Sequence, residues 1–505
     1  MTCRKICPKE WSFVKITTER GEIFYRKVRK LNMYSYGVQI PSSIKARFKM
    51  ESFDSFSFPL AFSASITKES ESYSYVIIPH EIVKFLNLKD GDIISYNLGR
   101  KSFLGKLRKG CNSLKLTIPK SAKEDNLENK ITINDKLKFK GPPNQIISHH
   151  IKDDLYFELK SLLPKSTTRD NINFKILELG IDKLIVGAEF KHVRGASFKY
   201  IILPRYINAK KVALFFGLMH SDGLKKFGYP EIYHKHIFSP VLNFTNGDPY
   251  VIDLFLSLFE ELFAINRESF SINIKYPLEM DIKKEEYIKK FWQRITKSKP
   301  VIYKDQKRLN RWCPLGIVNA GIYKILLAEI IISSLKKVLV WLKNSDSNSL
   351  KTNFINGVLI GDGSPILDNG VLRRLMVAIE FRFEGEIYRE ILSSLGYKSK
   401  NLWPQYITKL PPPYLRKLDI RGNTEFLESL LENFYFGFFE KGKFYGSLEK
   451  QYKFISGALK LKKLRNRERR EIEAKKLKCY LKNYINQVKP FLPIPKFYEE
   501  LINGK

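Results

Sequence analysis

Hydrophobic positions cluster at helical spacing in two stretches of this chain that close alike. Phe215-Phe216-Gly217-Leu218-Met219-His220-Ser221-Asp222-Gly223 and Ile355-Asn356-Gly357-Val358-Leu359-Ile360-Gly361-Asp362-Gly363 are each apolar, carry glycine at the third place and end on Asp-Gly. Each predicts a helix with a carboxylate at its foot. A charge there is costly unless it binds something, and two such feet suggest a paired site. After the first stretch, Ser239-Pro240-Val241-Leu242-Asn243-Phe244-Thr245-Asn246-Gly247-Asp248-Pro249 predicts a strand and a polar turn. Residues 250–265 then predict an amphipathic helix, 317–323 a strand and 324–335 a helix. After the second stretch the pattern predicts strands over 375–382 and 415–421 and helices over 384–395 and 423–435. Both halves approximate helix–strand–strand–helix–strand–strand–helix.

The N-terminal third is patterned differently. An apolar strand, Ile-Pro, a short helix and a polar turn recur at Tyr36-Gly37-Val38-Gln39-Ile40-Pro41, Tyr75-Val76-Ile77-Ile78-Pro79 and Leu114-Lys115-Leu116-Thr117-Ile118-Pro119. The prolines are spaced by 38 and 40 residues (79−41 and 119−79), the mark of an internal repeat. Proline suits the first turn of a helix and pushes the residue before it to an extended conformation. Asp90-Gly91-Asp92 supplies a tight turn before Ile93-Ile94. A degenerate fourth copy is conceivable over 198–207, although that stretch reads better as the strand leading into the next domain. Gly141-Pro142-Pro143 marks a boundary. Beyond it, residues 153–163 read as a helix and 183–187 as a strand, with no function legible in them.

Length and charge change the picture in two ways. At 505 residues the chain is too long for one ordinary domain. The formal net charge is +36, from 88 Lys and Arg against 52 Asp and Glu, which favours a polyanionic partner, nucleic acid above all. The apolar runs at 251–265 and 325–335 are short and carry charges, so no membrane partner is expected. Cys3-Arg4-Lys5 leads into mixed polarity and predicts no signal peptide. The five cysteines are scattered and odd in number, which predicts no disulfide framework and a cytoplasmic location, nucleoid-associated when bound to DNA.

The second repeat segment resembles the AbrB/SpoVT-type swapped-hairpin DNA-binding domain, with its Ile-Pro, short helix, Leu-x-x-Gly-Asp and strand. The third copy has Asn134-Asp135 where Gly-Asp is expected, and the first has Phe53-Asp54-Ser55 without the glycine. The resemblance covers roughly residues 25–140 and implies DNA contact through basic residues. Arg100, Lys101, Arg108 and Lys109 are the candidates here, with Lys106 and Lys115 nearby.

The paired stretches resemble the signature of LAGLIDADG homing endonucleases, over roughly residues 205–440. Gly217 and Gly357 match its first glycine, Asp222 and Asp362 its second aspartate, and Gly223 and Gly363 its last glycine. Asp222 and Asp362 stand 140 residues apart (362−222), which suits a single-chain, two-repeat member. The resemblance implies two helices side by side with small residues at their contact. Their aspartates would then meet and hold Mg²⁺ or Mn²⁺ for phosphodiester hydrolysis. The backbone carbonyls of Ser221 and Gly361 would be further ligands. A basic side chain near the metal is also implied, and Lys225, Lys304, Lys409 and Lys417 stay open for it. Curved sheets would read base edges in the major groove, with Arg308, Arg311 and Lys304 in the first half and Arg373, Arg374, Arg382 and Lys400 in the second. The first aspartate of the signature is replaced by His220 and Ile360, and the small second residue by Phe216 and Asn356, so the two halves are expected to be asymmetric. Residues 460–478, with ten basic and three acidic residues, predict a basic helix apt for a DNA backbone.

The expected fold is α+β: a two-repeat αββαββα saddle domain over 206–440, with repeats at about 206–345 and 346–440. Swapped-hairpin-like repeats over 1–143 and a connecting region over 144–205 precede it, and a basic helical extension over 441–505 follows. The expected function is metal-dependent, site-specific double-strand DNA cleavage by a monomer on a long asymmetric target. Two alternatives stay open: a catalytically silent DNA-binding regulator of the same ancestry, and an intron RNA maturase, with RNA as the partner.

Overall fold

The structure, a computed structural model, describes residues 2–4, 13–17, 23–32, 35–38, 60–63, 67–68, 74–78, 80, 83, 88–98, 101–110, 113–118, 130–137, 156–159, 163, 172–179, 183–192, 195–223, 241–276, 282–304, 314–379, 381–402, 416–421, 424–461 and 464–489. It is mixed α+β with several small sheets. The chain divides into two compact units, one of residues 1–141 with 187–200, the other of 142–186 with 201–505.

The first unit is built on β-sheet. Its seven-stranded sheet runs in the order Leu60–Ser63, Lys130–Leu137, Ile93–Leu98, Lys101–Lys109, Leu114–Ile118, Ser74–Ile78, Thr67–Lys68. The repeat is visible in the pairing. The leading strands of the second and third copies pair with one another, Val76 opposite Leu116, whereas Asn134-Asp135, expected as the turn of the third copy, lies within the strand Lys130–Leu137 at a register shift between Ile133 and Asp135. Alternation then buries Val76, Ile78, Ile94, Tyr96, Leu116, Ile118, Ile131 and Ile133 in one core. At the turn before Ile93, Gly91 takes φ +86°, which glycine adopts without strain. The Asp92 carboxylate accepts from Lys89 N at 2.6 Å and the Asp90 carboxylate from Lys109 N at 2.8 Å. Ile40, Pro41, Pro79 and Pro119, and the expected turns at 53–55, lie outside the described residues.

In the second unit, the strand Tyr206–Asn208 leads straight into helix α1 (Ala209–Ser221). The partner of that strand is Tyr156–Glu158, inside the stretch 153–163 whose pattern predicts a helix. Tyr156 and Phe157 suit a pleated surface, and cross-strand pairing outweighs the local helical pattern. After α1 come β1 (Leu242–Asn246), α2 (Pro249–Phe263), β2 (Ser271–Tyr276), α3 (Ile282–Thr296), β3 (Val301–Lys304), β4 (Ile317–Ile322) and α4 (Ile325–Asn344). These strands form one sheet in the order β1-β4-β2-β3, with β2 and β3 parallel across α3. Among the described residues only β1 stands between α1 and α2 where two strands are expected, with 224–240 outside them, and α3 and β3 are additions to the expected order of the first half.

The second half follows the expected order among its described residues: α5 (Asn348–Asp362), β5 (Gly363–Asp368), β6 (Val371–Ile379), α6 (Arg382–Ser394), β7 (Ser399–Leu402), β8 (Arg416–Arg421) and α7 (Thr424–Asn433). Its sheet runs β5-β6-β8-β7. The expected strand over 375–382 lies three residues earlier at its end, because Arg382 opens α6 and pairs with Glu386 one turn on, at 2.9 Å. The extension begins with the hairpin β9 (Gly437–Glu440) and β10 (Lys443–Gly446), then α8 (Leu448–Leu459) and α9 (Arg467–Val488). The basic helix expected from 460 therefore starts at 467.

Helices α1 and α5 are the buried centre of this unit. From Val212 to His220 every residue of α1 is buried, and so is every residue of α5 from Phe354 to Gly361. A helix apolar all round belongs inside. Asn208 and Ser347 cap them, accepting from Lys211 N at 3.0 Å and Leu350 N at 3.5 Å. Phe215 stacks against Phe255 of α2, whose ring lies 4.1 Å from that of Phe244 on β1. No described helix is long and apolar enough to cross a membrane.

Candidate functional site: the foot of the α1–α5 pair

Two glycines set the geometry. A methyl placed on Gly217 would lie 2.9 Å from Gly357 Cα, and one on Gly357 would lie 2.8 Å from Gly217 Cα. Only hydrogen at both positions allows backbones this close. The crossing brings the helix ends together. A methyl on Gly361 would lie 2.8 Å from Asp222 Oδ2, with Ser221 closer still, so the Asp222 carboxylate lies against the last turn of α5, at the residue before Asp362.

Asp222 caps the end of α1 and is half-buried. Its backbone carbonyl accepts from Thr245 N at 3.0 Å, and its Oδ2 accepts from Asn246 Nδ2 at 2.7 Å. Gly223 bridges to Phe244 on β1, so one strand fixes both the backbone and the carboxylate of this foot. Asp362 is the last residue of α5 and is also half-buried. Gly363 continues directly into β5 with φ −76°. Glycine is needed there for space: a methyl would meet Leu359 Cα at 2.6 Å, as one on Gly223 would meet Met219 Cα at 2.9 Å. The left-handed turn that often asks for glycine at a helix end is used at neither motif.

The positions that depart from the signature are absorbed by packing. His220 is buried, with Nδ1 3.0 Å from Glu384 Oε1 of α6 and Nε2 3.2 Å from the Leu335 carbonyl of α4. A carbonyl only accepts, so Nε2 is the donor to Leu335. The side chain of Asn356 donates to the Asn433 carbonyl at 3.3 Å and accepts from Tyr435 N at 3.1 Å. Ile360 and Phe216 are fully buried.

A residue that no spacing announced also reaches the foot. Lys450, in the first turn of α8, donates from Nζ to the Ile360 carbonyl at 3.1 Å and to the Gly361 carbonyl. Beside it opens a cavity of about 430 Å³ lined by Asn246, Asp248, Ser364, Ser447, Glu449 and Lys450 among others. Asp248 caps α2, accepting from Tyr250 N at 2.9 Å and from Ser447 Oγ at 3.1 Å. Burial pushes its carboxyl up to about 6, opposed by those two hydrogen bonds. Its own N–H donates to Asn246 Oδ1 at 2.7 Å. A chain of polar contacts thus runs from Asp222 through Asn246 and Asp248 to Ser447, and α8 returns through Lys450 to Gly361.

The donors at this foot are hard oxygens: the carboxylates of Asp222 and Asp362 and the carbonyls of Ser221 and Gly361. Such a set suits Mg²⁺ or Mn²⁺, which take one or two carboxylates and complete their shell with water and phosphate. Among the described residues no group of three or more His, Cys, Asp or Glu side chains gathers to hold an ion. A metal here therefore depends on the two aspartates and backbone oxygens. The two carboxylates suit that role, but the Gly361 carbonyl is already engaged, accepting from Lys450.

The basic candidates scatter. Arg373 lies exposed on β6, 3.4 Å from Asp368. Arg374 lies 3.3 Å from the buried Asp419 of β8. Lys400 is exposed on β7, and Lys417 lies half-buried on β8 opposite Ala378 and Leu402. Arg108 and Lys109 are exposed at the end of their strand in the first unit. Arg100, Lys225, Arg308, Arg311 and Lys409, and the side chains of Lys101 and Lys304, lie outside the described residues. No known family model and no curated protein matches this chain.

Proposed function

We propose that the chain is a site-specific double-strand DNA endonuclease of the homing type, built on a two-repeat LAGLIDADG saddle. The observation that carries this reading is the glycine-to-glycine crossing of α1 and α5, which brings Asp222 against Gly361, the residue before Asp362. Asp222 and Asp362 would hold Mg²⁺ or Mn²⁺, with the carbonyls of Ser221 and Gly361 as further ligands. Once bound, the metal supplies Lewis-acid activation of water and of the scissile phosphate.

The chain's own groups do the positioning. Asn246 orients the Asp222 carboxylate from β1. The close helix crossing holds the two feet at a fixed separation, which hydrolysis of one phosphate in each strand requires. The sheets β1-β4-β2-β3 and β5-β6-β8-β7 are read as the two halves of a DNA-binding saddle, with Arg373 and Lys400 among the exposed cations of the second. The N-terminal repeats, through Arg108 and Lys109, and the exposed cations of α9 add sequence-independent phosphate contacts.

One observation favours a second reading, a DNA-binding regulator that no longer cuts: the ammonium of Lys450 sits on a carbonyl that a metal would use. Incubation of the full chain with a randomised duplex library separates the two. Cleaved products with Mg²⁺ and none with EDTA support the nuclease. Enrichment of a bound sequence without cutting in either condition points to the regulator.

A further inference from the structure

Lys450 belongs to the extension that follows both motif-bearing halves, yet its ammonium is seated at their shared foot. The carbonyls it binds, those of Ile360 and Gly361, lie in the last turn of α5. Carbonyls there have no partner within the helix and carry the negative end of its dipole. The Asp222 carboxylate lies against the same Gly361, and Asp362 is the next residue. A cation drawn from the chain itself thus occupies two carbonyls at the end of α5, one of them on the residue before Asp362.

The geometry points to Lys450 as an internal competitor of the divalent metal: the ammonium and the ion contend for the Gly361 carbonyl, and metal loading displaces the lysine. This rests on reading Asp222 and Asp362 as metal ligands. Two cations at contact distance on one oxygen repel strongly in a half-buried setting. The displaced ammonium stays among acidic groups, since the cavity that Lys450 lines also holds Asp248 and Glu449, the latter paired with Lys453 at 2.8 Å. Leaving the carbonyls also removes one tie between α8 and α5. The extension is then coupled to the metal state of the site, and the same foot alternates between a lysine-sealed and a metal-loaded form.

Manganese binding to the full chain, followed by the electron paramagnetic resonance of the free ion, tests this without any cleavage. Lys450→Met keeps the length of the apolar stem and removes the cation, and it is expected to bind Mn²⁺ about tenfold tighter than the unmodified chain. Lys450→Arg, which keeps a cation, is expected to bind as the unmodified chain does. A second measurement needs no variant: acetylation of Lys450, followed by mass spectrometry, is expected to speed up several-fold when Mn²⁺ is added. Unchanged or weaker Mn²⁺ affinity in Lys450→Met, or acetylation that Mn²⁺ leaves unchanged or slows, overturns the competition. Asp222→Asn separates the two levels. Loss of Mn²⁺ binding in Asp222→Asn with no gain in Lys450→Met sinks the competition alone. Equal Mn²⁺ binding in Asp222→Asn and the unmodified chain sinks the metal-ligand reading and the competition with it.

Discussion

Gly217 and Gly357 face one another across the α1–α5 crossing, each so close to the other's Cα that a methyl on either would stand within 3 Å of it. The consequence for the site is direct. Any side chain at either position wedges the helices apart and moves Asp222 away from Gly361 and Asp362. The methyl on Gly217 would also run into the Phe354 carbonyl, and that on Gly357 into the Leu214 carbonyl, neither of which can yield without distorting its helix.

Gly217→Ala and Gly357→Ala are therefore expected to destabilise the fold by about 2 kcal/mol each, despite alanine's better helix propensity. Urea unfolding checks this. Stability equal to or above that of the unmodified chain would contradict the close crossing.

The buried His220–Glu384 pair joins α1 to α6. Glu384→Ala leaves the imidazole without that partner, and His220→Asp sets two carboxylates together in the core. Both are expected to lose about 3 kcal/mol, the second at least as much as the first. Chemical denaturation at neutral pH measures it. A His220→Asp variant as stable as the unmodified chain would show that the pair is not a tie.

Asp248 carries a pH dependence with a definite sign. Its carboxyl is pushed from the ordinary 3.8 up to about 6, so the folded state holds a proton there that the unfolded chain has already lost. The stabilisation is fully present below pH ~4 and is lost as pH rises through about 6, by roughly 2 kcal/mol. Asp248→Asn keeps the helix cap and removes the titration. The stability difference between variant and unmodified chain is expected to shift by that amount between pH 4 and 7, and a flat difference would contradict it.

Arg373 and Arg374 are adjacent but differ in task. Arg374 faces the buried Asp419, so Arg374→Ala is expected to lower stability by about 1–2 kcal/mol. Arg373 pairs only across exposed surface. Arg373→Ala is expected to leave stability unchanged and to reduce the salt dependence of DNA binding by about one ion. The reverse assignment would show up in the same two assays.

What could be read along the chain was what local pattern controls. The two motif helices, α2, β4 with α4, and the order of the second half follow from apolar periodicity, Asp248-Pro249 as a helix start, and glycine at the crossing. What could not be read depends on partners distant in sequence. Tyr156–Glu158 is a strand because Tyr206–Asn208 pairs with it. His220 looked like a lost aspartate until Glu384 supplied its partner. Lys450 reaches the foot because α8 packs against β5 and β6, and no spacing in the chain encodes that. The α3–β3 addition does leave stop signals, Lys297 at φ +58° and Pro300, but they do not say that β3 will pair in parallel with β2.

If Asp222 and Asp362 are the two halves of one metal-dependent cutting site, as proposed, neither can be lost without loss of double-strand cleavage. The most direct measurement is cleavage of a supercoiled plasmid carrying the selected target, in Mg²⁺, by the unmodified chain, Asp222→Asn, Asp362→Asn and the double variant, with binding followed in parallel by gel shift. Linearised plasmid is expected with the unmodified chain, no double-strand cleavage with either single variant or the double variant, and target binding in all four. Undiminished cleavage by the double variant would contradict the proposal.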